Sequence, residues 1–228
     1  MRAEEIADMG QAYDCPSAAA PAAPGVFVAF DPAGHRPAPY RGMIAELFAL
    51  ACRLGLRLTG WTLQGDWPAD PRMVVCCAPH TSNVDGVLML VAAGAWRVRL
   101  SWMGKASLTR GPFGGLVRWA GCVPIDRSAR HDVVRVMAEA LRGADRMILA
   151  IPPEGTRGRA EKWKSGYYHI ADAARVPLVL AVLDYGTKTM RLAGALTPGG
   201  DYAADLPLIL APYADAVGRH PEDFVLST

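Results

Sequence analysis

From residue 70 onward the chain alternates between short apolar runs and stretches with helical spacing. The apolar runs fall at 73–78, 98–103, 122–125, 146–151, 178–183 and 189–193. Helical stretches lie between them near 84–95, 113–120, 130–143 and 166–174. Strands alternating with helices predict an α/β domain with a largely parallel or mixed central sheet flanked by helices. In such sheets binding sites form beyond the carboxyl ends of the strands. The short polar segments after each run are therefore the places to search for chemistry.

Ahead of this region, residues 41–60 form an amphipathic helix by pattern. Glu46, Arg53 and Arg57 share one stripe, and Met43, Ile44, Leu47, Phe48, Leu54 and Leu58 cover much of the rest. Trp61 and Trp67 follow. The helix is expected to pack on the domain, to lie in a membrane interface with the tryptophans at headgroup level, or to do both on different faces. Residues 1–40 are expected to be a flexible appendage, because 15–39 is rich in Ala, Pro and Gly without helical period. A short apolar patch at 26–30 is expected to dock on the rest. Residues 41–228 are read as a single domain, the size that one core serves.

The net charge of +2 gives no global reason to expect nucleic acid. Placement says more. Between residues 97 and 118 the charges are Arg97, Arg99, Lys105, Arg110 and Arg118, with no acid among them. Such a field suits a phosphate or an anionic membrane surface. The five cysteines form no CxxC pair, and Cys76 and Cys77 point to opposite faces of a strand. They read as small core residues in a reducing compartment. Glu4, Glu5 and Asp8 stand where a secretory signal would be basic and then apolar, and the longest uncharged apolar run, 86–96, is too short for a bilayer. The expected location is cytoplasmic, peripherally on the cytoplasmic face of a membrane.

Four segments carry chemistry. The run at 73–78 ends in Pro79 and His80, followed by the cap-type residues Thr81, Ser82 and Asn83, then Asp85. Five residues on a continuous helix separate two side chains by about 140° around the axis. A His in the strand-to-helix turn, with the Asp on the first helical turn reaching back, brings them together. The carboxylate then fixes the imidazole tautomer and makes the outer nitrogen a better base. By chance alone the chain holds about a third of one such pair, so the spacing by itself decides little. No metal is expected, since no His, Cys and Glu grouping has ligand spacing. The second segment holds Lys105 and Arg110 beside Gly104 and Gly111, where backbone and cation can approach one anion. In the third, Gly121 leads through a short strand to Arg127. In the fourth, Pro152 and Pro153 end a strand, and Glu154, Gly155, Thr156 and Arg157 follow. Glu154 and Arg157 are expected to pair, leaving part of the guanidinium fork and Thr156 for a phosphate. No GxSxG, GxGxxG or GxxxxGK[ST] occurs, which disfavours a serine nucleophile, a dinucleotide or a P-loop.

Taken in order, these segments resemble the glycerolipid acyltransferases, in particular the bacterial 1-acylglycerol-3-phosphate acyltransferases. His80 and Asp85 match the family's His, four residues, Asp block. Gly121 to Arg127 match the second block, Pro153 to Arg157 the third, and Val176-Pro177 the fourth. Pro124 and Pro152 stand where the family has Phe, and Leu180 where it often has a second Pro. The resemblance spans about residues 41–200. It implies His80 as base and Asp85 as its orienter. It implies Arg127, Glu154, Gly155, Thr156 and Arg157 as the acceptor's phosphate site, with Lys105 and Arg110 as further anion contacts. It implies no cofactor: acyl-CoA or acyl carrier protein brings the acyl group, and a lysophospholipid, first 1-acylglycerol-3-phosphate, receives it. A different acceptor such as a lyso-ornithine lipid, or a non-catalytic lipid-binding protein, are the competing expectations.

Overall fold

The structure, a computed structural model, describes residues 27–28, 43–125 and 133–226. Its strands are β1 (Phe27–Val28), β2 (Thr62–Gln64), β3 (Arg72–Ala78), β4 (Leu100–Lys105), β5 (Cys122–Ile125), β6 (Met147–Ile151), β7 (Leu178–Asp184) and β8 (Thr189–Leu196). Its helices are α1 (Met43–Leu58), α2 (Asn83–Trp96), α3 (Gly114–Trp119), α4 (Val133–Gly143), α5 (Gly166–Ala174) and α6 (Tyr202–Leu210). The sheet order is β1-β8-β7-β3-β6-β4-β5, with β2 also beside β8. Strands β7, β3, β6, β4 and β5 run parallel, and β8 turns back antiparallel on β7. The chain is thus α/β with a mixed sheet, as the alternating pattern predicts.

The parallel strands carry apolar residues on both faces because helices cover both. On one face Val74, Cys76, Leu149, Leu178 and Leu180 pack against Met137 and Leu141 of α4, Tyr168 and Ile170 of α5, and Ile209 of α6. On the other, Met73, Val75, Ile148 and Val179 meet Ala93 of α2 and Trp67. Cys76 and Cys77 face opposite sides, and the four described cysteines are free.

Helix α1 forms an outer layer on α2. It buries Ala49, Cys52 and Leu56, and Gly94 of α2 lets it approach, since a Cβ there would lie 2.7 Å from Cys52 Sγ. Its polar stripe serves the contact: Arg53 donates to the Ala95 carbonyl, and Glu46 pairs with Arg97 at the end of α2. Trp61 and Trp67 are buried, which corrects their placement at a headgroup level: Trp61 packs edge-on against Tyr185 and Trp67 against Trp96. No helix among the described residues is long and apolar enough to cross a membrane.

Other departures from the pattern have local causes. The run at 98–103 becomes a strand only from Leu100. Arg97 takes a left-handed φ of 61° and closes α2, and the Val98 amide is still bonded to the Ala93 carbonyl. The basic run divides, because Arg97 and Arg99 precede β4 while Lys105 ends it, roughly 20 Å away along the strand. Pro124 is tolerated because β5 is the edge strand, paired to β4 alone. The expectation for residues 1–40 lies outside the described residues except at Phe27–Val28, which pairs with Leu196 and Ala195 of β8.

Candidate active site

The parallel strands bring their carboxyl ends to one edge in the order β7, β3, β6, β4, β5. Chain segments far apart in sequence meet there. Ser82 caps α2, its hydroxyl accepting the Val84 amide, and Asp85 completes the capping box by accepting the Ser82 amide at 2.7 Å. That bond turns the Asp85 carboxylate back toward His80. His80 Nδ1 lies 3.8 Å from Asp85 Oδ2. This is beyond hydrogen-bond range, and such contacts shorten when substrate binds. The His80 ring passes over Gly86, where a Cβ would sit 4.0 Å from Cε1. Asp85 is buried, and its other oxygen accepts the Tyr185 hydroxyl at 2.6 Å.

Burial pulls the His80 imidazole below its ordinary value of 6.5; Asp85 opposes this and Arg157 adds to it. A neutral imidazole with Nδ1 toward the carboxylate leaves Nε2 as the acceptor.

Glu154 departs from the expected grip. Instead of pairing with Arg157 it turns inward, and Oε1 accepts the His80 backbone amide at 2.9 Å. Its Oε2 is buried without a partner. Burial pushes the carboxyl up to about 7, against the pull of hydrogen bonds from its own and the His80 amide. With its carboxyl turned under the His80 amide, Glu154 supports the His80 turn and stands apart from the outer face of its loop. That outer face is exposed at Gly155, Thr156 and Arg157. Gly155 has φ of +64°, and the Lys164 side chain crosses it so closely that a Cβ would meet Nζ at 2.6 Å. Lys164, which follows the motif closely in sequence, thereby joins Arg157 beside the loop. Thr156 Oγ1 accepts the Gly158 amide at 3.4 Å.

Lys105 ends β4 on the same edge, two strands from β3, hence about 10 Å across the sheet, and is exposed. Arg110 lies one short 3₁₀ turn further on, also exposed. Arg127 is outside the described residues, although β5, which leads to it, ends on this edge.

Tyr185 was missed in the sequence. The rule that selected the other segments, the carboxyl ends of parallel strands, applies equally to β7 and would have found it. Behind the His80 and Asp85 pair, a narrow apolar cavity of about 50 Å³ runs between α2 and the sheet, lined by Pro79, Val75, Met89, Trp67, Trp96 and Leu192 among others.

A histidine facing a buried carboxylate, an exposed cationic loop beside it and an apolar cavity behind it thus meet at this edge of the sheet. The Acyltransferase family model matches residues 64–183, more than half of the chain, and the chain belongs to that family. Among solved structures it is similar to the 1-acyl-sn-glycerophosphate (LPA) acyltransferase PlsC from Thermotoga maritima. The identity is 17%, the coverage 69% of this chain and 70% of that one, and the TM-score 0.50. At that identity the likeness concerns the fold. Comparison with curated proteins gives no match.

Proposed function

We propose that this acyltransferase moves a fatty acyl group from acyl-CoA or acyl carrier protein to a hydroxyl of a lysophospholipid, with 1-acylglycerol-3-phosphate as the first acceptor to test. The observation that carries the reading is the orientation of His80: Nδ1 faces Asp85, so Nε2 is the free base. His80 takes the acceptor's hydroxyl proton as the oxygen attacks the thioester carbonyl. The C–O bond forms, the C–S bond breaks, and the thiolate leaves with the proton that His80 returns. Asp85 stabilises the imidazolium between these steps. Because the thiolate leaves readily, no acyl-enzyme is needed.

Arg127, Thr156, Arg157 and Lys164 supply the donors and charge for the acceptor's phosphate, with Lys105 and Arg110 as further contacts and Gly155 letting the loop backbone come close. The apolar cavity receives the start of an acyl chain. Purified protein given an acyl-CoA and lysophosphatidate should release free thiol. His80→Ala should lose at least about 100-fold in rate, the usual scale for a general base. Unchanged turnover in that variant would sink the mechanism. Equal concentrations of lysophosphatidate, a lyso-ornithine lipid and neutral lysolipids identify the acceptor, and preference for lysophosphatidate rejects the others. Because burial lowers the His80 pKa, the rate should climb through an apparent pKa below 6.5 and level off above it.

We also assign the protein to a membrane surface, through the apolar outer side of α1. Co-sedimentation with anionic vesicles tests this.

A further inference from the structure

Both oxygens of the Asp85 carboxylate are engaged. Oδ2 faces His80 and accepts the Ser82 amide, while Oδ1 accepts the Tyr185 hydroxyl at 2.6 Å. Donors on opposite oxygens fix the plane of a carboxylate that could otherwise rotate about its last bond. The Ser82 donor comes from the same turn as Asp85, whereas Tyr185 is 100 residues further along the chain. Its ring stands edge-on to Trp61, with centroids 4.9 Å apart. The Arg219 guanidinium lies near the same hydroxyl and draws its pKa down against the effect of Asp85.

The segment that carries Arg219 is itself tied to this edge. The Tyr185 amide donates to the Val217 carbonyl at 2.9 Å, the Val217 amide to Asp184 Oδ1 at 3.0 Å, and the His220 amide to Thr81 Oγ1 at 3.1 Å. Tyr185 and Arg219 both lie beyond residue 183, where the family match ends.

We propose that Tyr185, its ring seated on Trp61, is a positioning residue that locks the Asp85 carboxylate toward His80 and sets the basicity of the imidazole. Burial, and then the bond to Asp85, raise the phenol's pKa well above its ordinary value, so it donates at any working pH. Among the described residues, the charged and titratable groups around His80 are Asp85 on α2 and Glu154 and Arg157 on the loop after β6. Behind Asp85 stand Tyr185 and Arg219. Removing the phenol hydroxyl leaves the Asp85 charge less compensated toward His80, so the imidazolium gains. It also frees the carboxylate to turn, so the imidazole is held less well for proton transfer.

Tyr185→Phe keeps the ring against Trp61 and removes the hydroxyl alone. The His80 imidazole of the full chain is followed by NMR titration, its signal assigned by comparison with His80→Gln. Thiol release is measured in parallel across pH. The expected results are an upward shift of the His80 midpoint, a matching shift of the acid limb, kcat lower by about tenfold, the scale of one hydrogen bond to a charged group, and KM within twofold. Arg219→Gln should move the same quantities in the same direction by less. An unchanged His80 midpoint in Tyr185→Phe overturns the proposal, even if kcat falls, because a bracing role alone lowers activity without retuning the base. If Tyr185→Phe fails to fold by thermal melting, Arg219→Gln carries the same decision. The catalytic part rests on the acyl-transfer reading. Absence of thiol release by the wild type with every acceptor defeats that reading, while the titration still decides the coupling.

Discussion

At the scale of single residues, Glu154 has the least expected placement. It belongs to a loop read as an anion grip, yet its carboxylate lies under the His80 backbone with one oxygen unpaired. Its carboxyl is pushed from 4.5 to about 7, so the folded state favours the protonated form. The resulting stability is fully present below about pH 4.5 and is lost as pH rises through 7. Glu154→Gln keeps an acceptor for the His80 amide and removes the titration. The variant should match the wild-type unfolding free energy at pH 4.5 and exceed it at pH 8, by on the order of 3 kcal/mol. A difference between the two proteins that does not vary with pH would contradict this. The sequence made His80 and Asp85 legible because capping chemistry is local: Ser82 and Asp85 are three apart, and one turn orients both. The direction of Glu154 was not legible. It depends on β6 lying beside β3, a pairing of residues more than 70 positions apart. Tyr185 was within reach as the residue that follows β7, but its bond to Asp85, 100 positions away, was not.

Elements whose signal is local appear where the pattern puts them, and those fixed by distant partners do not. The buried strands β3, β6 and β7 stand out as apolar runs. β1 and β2 have two and three residues and exist only because β8 offers an edge. α6 escaped the reading because Pro207 interrupts a short helix, although Asp201 caps it by accepting the Ala203 and Ala204 amides. The β4-to-β5 excursion gives a test with opposite signs at two glycines. At Gly121, φ is +89° and a Cβ would lie 1.9 Å from the Leu100 carbonyl oxygen, a backbone atom that cannot step aside. Gly121→Ala should lose more than about 2 kcal/mol in urea unfolding, because β5 must separate from β4. At Gly115, in α3, a Cβ meets nothing within 4 Å. Gly115→Ala should instead gain about 0.5–1 kcal/mol from helix propensity. If both substitutions moved stability the same way, backbone conformation would not be the controlling factor.

The whole molecule carries an asymmetry that its interior does not use. Helix α1 buries only Ala49, Cys52 and Leu56 and turns its other large apolar residues outward: Met43, Ile44, Leu47, Leu50, Leu54 and Leu58 are 54–82% exposed. The outward stripe lies opposite the buried face of Ala49, Cys52 and Leu56. Around the β4-to-β5 excursion, Leu108, Phe113, Leu116 and Trp119 are exposed alongside Lys105 and Arg110. Fully burying a Leu-sized side chain is worth about 1.5–3 kcal/mol. The six outward residues of α1 keep more than half of that available, on the order of 5–10 kcal/mol before the cost of association. A basic side chain near anionic lipid adds only about 1 kcal/mol, so apolar insertion should dominate and salt should weaken binding only slightly. Replacing Leu47, Leu50 and Leu54 together by Glu leaves the α1-to-α2 contact intact, so the melting temperature should hold. Co-sedimentation with vesicles should be lost. Thiol release should fall when the acceptor is embedded in vesicles and persist when it is a dispersed short-chain lysolipid. If the triple variant still sediments with vesicles, α1 is not the seat. If it fails equally on both acceptors, the helix acts on the site rather than on its access to lipid.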